Sequence, residues 1–108
     1  MEYKDPPTRR YSKGQTIFSE GDESREAFIL RSGSVEVSIG KGLDRKVLDI
    51  ITANQMFGEM GLIGNTARTA TVKCLEDTVV TVVEREMIEV KIRDMDPYIR
   101  YLMQSLID

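Results

Sequence analysis

The hydrophobic positions of this chain follow two periods, one after the other. Between residues 35 and 39 they alternate strictly, with Val35, Val37 and Ile39 on one side and Glu36 and Ser38 on the other, which predicts a half-buried strand. Short apolar runs at 15–18, 27–30, 45–51, 70–74 and 78–83 repeat the theme, and Gln55-Met56-Phe57 adds a briefer one. Between them stand turn clusters: Ser12-Lys13-Gly14, Gly21-Asp22-Glu23-Ser24, Arg31-Ser32-Gly33-Ser34 and Gly40-Lys41-Gly42. Asn54 stands where a left-handed residue is useful, a conformation asparagine tolerates. Short strands at near-regular spacing predict an all-β sandwich or barrel. Residues 1–10 are polar, contain Pro6-Pro7 and Arg9-Arg10, and are expected to be an extended, solvated lead-in.

From Glu84 the period becomes helical. Met87, Ile88, Val90, Lys91 and Ile92 form a stripe that ends near Arg93. A second helix is expected to open at Pro97 with Asp96 as its N-cap. Its apolar faces would be Tyr98, Ile99, Tyr101, Leu102, Met103, Leu106 and Ile107.

One stretch, 57–72, breaks the strand rhythm. Gly58-Glu59 opens a run, 59–63, that fits one turn of helix, and Arg68 follows on a segment punctuated by Gly61 and Gly64. Gly58 lets backbone approach a ligand. The first N–H groups of a helical turn have no partner within it and suit an anion. Arg68 offers a planar fork of donors for phosphate oxygens, and Thr69, Ala70 and Thr71 keep the following amides open. The Glu59 carboxylate only accepts, so a sugar hydroxyl is its natural donor. Together these make a cradle for a phosphorylated sugar.

Phe57-Gly58-Glu59, Leu62 and Arg68-Thr69-Ala70-Thr71 resemble the phosphate-binding cassette of cyclic-nucleotide-binding domains. That family includes the catabolite activator protein, the regulatory subunits of cyclic-nucleotide-dependent kinases and cyclic-nucleotide-gated channels. The resemblance extends through Gly14-x-x-Ile17-Phe18-x-x-Gly21-Asp22 and Phe28-Ile29-Leu30-x-x-Gly33-x-Val35-x-Val37, from about Tyr11 to about Ile92. Two positions depart from the family pattern: Ala67, where many members have proline, and Asn54, where glycine is usual.

The resemblance implies a mainly β fold, an eight-stranded jelly-roll (double-stranded β-helix) barrel with an inserted short helix and flanking C-terminal helices. The domain would run over 11–108, the barrel to about 83 and the helices over 84–108. By resemblance, Glu59 takes the ribose 2′-hydroxyl and Arg68 the cyclic phosphate. Gly58 and the amides of Met60, Gly61, Thr69 and Ala70 assist. Thr69 has two roles open to it, helping to hold the phosphate or reaching the 2-amino group of a syn guanine, so the ligand is cAMP or cGMP. In the family the last helix closes over the base and often carries dimer contacts; here that lid is expected to be short.

Composition narrows the function classes. The 108 residues suit one domain; a net charge of −3 and a pI near 5.0 argue against a nucleic-acid surface. There is no histidine, which removes the commonest general base and metal ligand and with them Ser-His-Asp centres and cupin-like metal enzymes. The single cysteine, Cys74, lies between apolar neighbours and is expected to be a buried, inert thiol in a reducing compartment. No apolar run is long enough to span a membrane and the N-terminus lacks a signal h-region, so a cytoplasmic location is expected. The sequence thus points to a regulatory sensor of a cyclic nucleotide, not an enzyme, with no cofactor. An output domain or effector, or a homodimer through the last helix, would receive the signal. The alternative is a ligand-free structural or oligomerisation module on the same jelly roll.

Overall fold

The computed structural model describes residues 6–59 and 67–87, together with 97, 98, 101, 102 and 105. Among them lie eight strands: β1 Thr8–Tyr11, β2 Thr16–Phe18, β3 Glu26–Ser32, β4 Val35–Ile39, β5 Lys46–Ile51, β6 Met56–Phe57, β7 Thr71–Cys74 and β8 Thr78–Glu84. They form two antiparallel four-stranded sheets, in the orders β1-β8-β3-β6 and β2-β7-β4-β5.

The two sheets enclose one core. Phe28 and Leu30 of β3, Val35 of β4, Phe57 of β6, Val72 and Cys74 of β7, and Val80 and Val82 of β8 make up the buried cluster. β3 and β8 are the longest of these strands and pair from Glu26–Glu84 to Ser32–Val79, with a register shift after Leu30; Phe28 stands opposite Val82 and Leu30 opposite Val80. Alternate β-branched residues on β8 suit a pleated, buried surface. Three aromatic rings fill one end of the core: Phe28 stacks on Phe57 at 5.2 Å and on Phe18 at 6.0 Å between centroids. Such spacing is favourable for aromatic pairs beyond their buried area.

Alternation in β4 holds at Val35, which is buried, and at Glu36, whose carboxylate pairs with Arg45. It does not hold at Ser38, which is also buried. Beside it the ladder to β5 carries a bulge whose extra residue is Leu48 of β5, since the consecutive Val37 and Ser38 face Asp49 and Val47. Gly33 turns β3 into β4 at φ 95°, and a Cβ there would stand 2.5 Å from the Asp77 carbonyl oxygen. Asn54 adopts φ 71°, the left-handed conformation expected for it. Cys74 is buried as expected, and burial pushes its thiol above the ordinary range, which keeps it protonated.

The lead-in is more structured than its polarity suggests. Thr8 to Tyr11 pairs with β8 from Thr81 to Thr78, so the expected boundary at 10/11 falls inside β1. This strand is mostly exposed; it exists because the edge of β8 offers unpaired backbone, which no side-chain pattern announces.

Helical conformation begins at 85–87, where the period changes, and is found again at 97, 98, 101, 102 and 105. The Ser105 hydroxyl donates to the Tyr101 carbonyl at 2.9 Å, one helical turn back. The stripe beyond Met87, the Asp96 cap and the turn 59–63 after Glu59 lie outside the described residues. Tyr98, Tyr101 and Leu102, read as apolar faces, are exposed.

Candidate functional site

β6 ends at Gly58, and the positive φ of 75° there turns the chain toward the interior. A Cβ on Gly58 would lie 2.7 Å from Arg68 Nη1 and 3.3 Å from Phe18 Cε2. Conformation and space both demand glycine.

Arg68 is the centre of the arrangement. Its backbone is clamped to the β2–β3 turn: the Arg68 amide donates to the Asp22 carbonyl at 2.7 Å, and the Gly21 amide donates to the Arg68 carbonyl at 2.8 Å. Next to it Glu23 and Ala67 form an isolated bridge. The side chain is only 8% exposed. Nη1 donates to the Gly58 carbonyl at 2.9 Å and Nη2 to the Glu26 carbonyl at 2.7 Å. The guanidinium lies over the Phe18 ring, 4.0 Å from its centroid, and 5.7 Å from that of Phe28, favourable cation–π positions.

This cation is nevertheless under-compensated. Its Nε is buried without a hydrogen-bond partner. Among the described residues no carboxylate lies within ion-pair distance of it. Burial lowers its pKa from the ordinary arginine value, against the opposing pull of Glu26 and Asp22. A guanidinium stays charged even so, and a buried charge held only by neutral carbonyls costs free energy. An anion would relieve that cost.

Two cavities meet at Arg68. One, of about 320 Å³, is lined by the apolar Val37, Ile51, Phe57 and Val72, with Asp49 in the same strand row, and by Gln55, Gly58, Glu59, Arg68, Thr69 and Ala70. The other, of about 470 Å³, is lined by Asp22, Glu23, Glu26, Glu84 and Glu86 against Arg25 and Arg68, over Ile17, Phe18 and Phe28. The larger cavity is the poorer anion site, because five carboxylates outnumber two arginines. Those carboxylates do not converge on a metal either: among the described residues no group of three or more acidic, cysteine or histidine side chains is placed to hold one.

Gly58, Glu59, Arg68, Thr69 and Ala70 are thus brought together on the lining of the smaller cavity. Glu59 and Thr69 are exposed there and Ala70 is half-buried. Met60 and Gly61 lie outside the described residues. Sequence reasoning missed Phe18 and Phe28 as the aromatic bed of Arg68, because core aromatics look alike in sequence. It also left Asp49 aside, whose place on the cavity lining becomes visible only once β5 is in register with β4.

Residues 8–94 match the family model described as the cyclic nucleotide-binding domain. A cGMP-dependent protein kinase of Eimeria tenella is 38% identical over 78 residues, 71% of this chain and 7% of that protein. A cAMP-dependent protein kinase regulatory subunit of Mycosarcoma maydis is 36% identical over 64 residues, 59% of this chain and 12% of that protein. The chain therefore spans only a small part of the length of these relatives. Among solved structures, the cAMP-bound form of the EAL enzyme Bd1971 superposes with a TM-score of 0.81 at 33% identity, covering 94% of this chain and 27% of that one. Among the described residues no helix is long and apolar enough to cross a membrane.

Proposed function

The chain belongs to the cyclic nucleotide-binding domain family, and on that premise we propose that it is a regulatory sensor whose ligand, cAMP or cGMP, occupies the 320 Å³ cavity. The observation that carries this reading is the buried, under-compensated guanidinium of Arg68 at that cavity's wall. The cyclic phosphate accepts from Arg68 and from the amides around Thr69 and Ala70, and the amides of Met60 and Gly61 belong to the same proposed set. Glu59 accepts from the ribose 2′-hydroxyl, and the apolar strand residues Val37, Ile51 and Val72 receive the base. The volume is in the range of small-ligand sites.

Binding would reach the rest of the molecule through Arg68. A phosphate competes with the Gly58 and Glu26 carbonyls for its donors, and Arg68 also walls the larger cavity, which includes Glu84 and Glu86 at the start of the helical residues. A shift of the guanidinium is therefore felt where the strands give way to helix, and differential contacts in the two states supply the coupling. Closure of the two sheets into a jelly-roll barrel with flanking helices belongs to the same reading. So do a cytoplasmic location, the absence of catalysis, and an output element or second copy docked on exposed Tyr98, Tyr101 and Leu102.

Isothermal titration of the chain with cAMP and with cGMP tests the proposal. Saturable binding near micromolar, about 8 kcal/mol, is expected with at least one of them. No heat and no thermal stabilisation with either would point instead to a ligand-free structural module.

A further inference from the structure

We propose that Asp49 selects the purine, its carboxylate accepting from the 6-amino group of adenine and repelling a 6-oxo base, so that the site prefers cAMP. The inference rests on the sensor reading above and adds to it the identity of the base.

The register of the second sheet places this carboxylate. Asp49 stands opposite Val37, and Val37 opposite Val72, in one row across β5, β4 and β7. Directly paired residues of an antiparallel ladder share a face. All three line the nucleotide cavity; β5 is an edge strand, and Asp49 is open to solvent there like Leu48 and Ile50 beside it. Among the described strand residues that line the cavity, Asp49 is the one that carries a charge. Its Oδ1 accepts the Ile50 amide at 2.8 Å, which fixes the carboxylate and leaves Oδ2 to a ligand. Among the described residues no cation pairs with it.

Distance decides which part of the nucleotide it meets. Two strand spacings separate Asp49 from Val72, about 10 Å, and the phosphate site at Arg68 and Thr69 leads directly into β7. A carboxylate so far across the cavity faces the base, not the phosphate it would repel. On a purine, the 6-substituent lies at the end of the ring system remote from the sugar. Adenine presents an amino donor there, guanine and hypoxanthine a carbonyl acceptor. An ionised carboxylate only accepts, so it bonds the first and opposes the second.

The test is titration of wild-type chain, Asp49→Ala and Asp49→Lys with cAMP and cIMP. Both ligands lack a 2-amino group, so any contact of Thr69 with that group is silent. Wild type is expected to bind cAMP about tenfold or more tightly than cIMP, the size of one charge-assisted hydrogen bond. Asp49→Ala should bring the ratio near one, and Asp49→Lys, which supplies a donor, should favour cIMP. A ratio equal in wild type and Asp49→Ala, or a wild type that prefers cIMP, overturns the role of Asp49 while leaving the sensor reading intact. Absence of binding by either nucleotide overturns both.

Discussion

The two cavities that share Arg68 differ in a way volume does not capture. The larger, 470 Å³, is ringed by five carboxylates, and the smaller, 320 Å³, by apolar strand residues with a few placed polar groups. The same guanidinium faces both. In the larger it is one cation among many acidic neighbours; at the smaller it shares a mostly apolar lining with Gly58, Glu59, Thr69 and Ala70. Chemistry, not capacity, makes the smaller cavity the better fit for a phosphate.

Substitutions can break that contrast in order of effect. Arg68→Ala should weaken cyclic-nucleotide binding most, by roughly ten- to a hundredfold, as expected for losing about 1.5–3 kcal/mol of charge-assisted bonding; titration calorimetry measures it directly. Gly58→Ala comes next. Its Cβ would press on Arg68 Nη1 at a positive φ, so affinity should fall by about tenfold and stability by about 1–3 kcal/mol, read by denaturant melts. Glu59→Gln keeps an acceptor but loses the charge, and should cost about three- to tenfold in affinity, in line with the about 1 kcal/mol typical of a single hydrogen bond. The smallest effect belongs to the other cavity: Glu84→Gln with Glu86→Gln should leave the dissociation constant within about twofold, because exposed charges are screened at this range. A large loss from that double change would mean the ligand sits among the carboxylates.

Much of this layout is written in local sequence. The alternation of β4, the β-branched run of β8 and the Asn54 turn are short-range signals, and each corresponds to the element found. The cassette residues Gly58, Glu59, Arg68, Thr69 and Ala70 are close in sequence, so their convergence needed no long-range knowledge. What stayed hidden depends on pairing across the sheets. Thr8 to Tyr11 carries no hydrophobic pattern and becomes a strand through its bonds to β8. Ser38 is buried against the alternation of its own strand. The Glu26 carbonyl that holds Arg68 is a backbone atom 42 residues away and has no side-chain signature. Asp49 lay on a strand of unknown register, where a one-residue slip exchanges the inner and outer faces.

The central claim is that Arg68 receives the phosphate through donors the protein itself leaves wanting. Nitrogen-15 spectra of the arginine Nε–H groups test it most directly, with the Arg68 signal identified by its loss in Arg68→Ala. On saturation with cAMP or cGMP that resonance should move downfield and gain protection from solvent exchange, as an orphan donor finds an acceptor. A resonance unmoved while nucleotide binds with full heat would place the phosphate elsewhere and contradict the account.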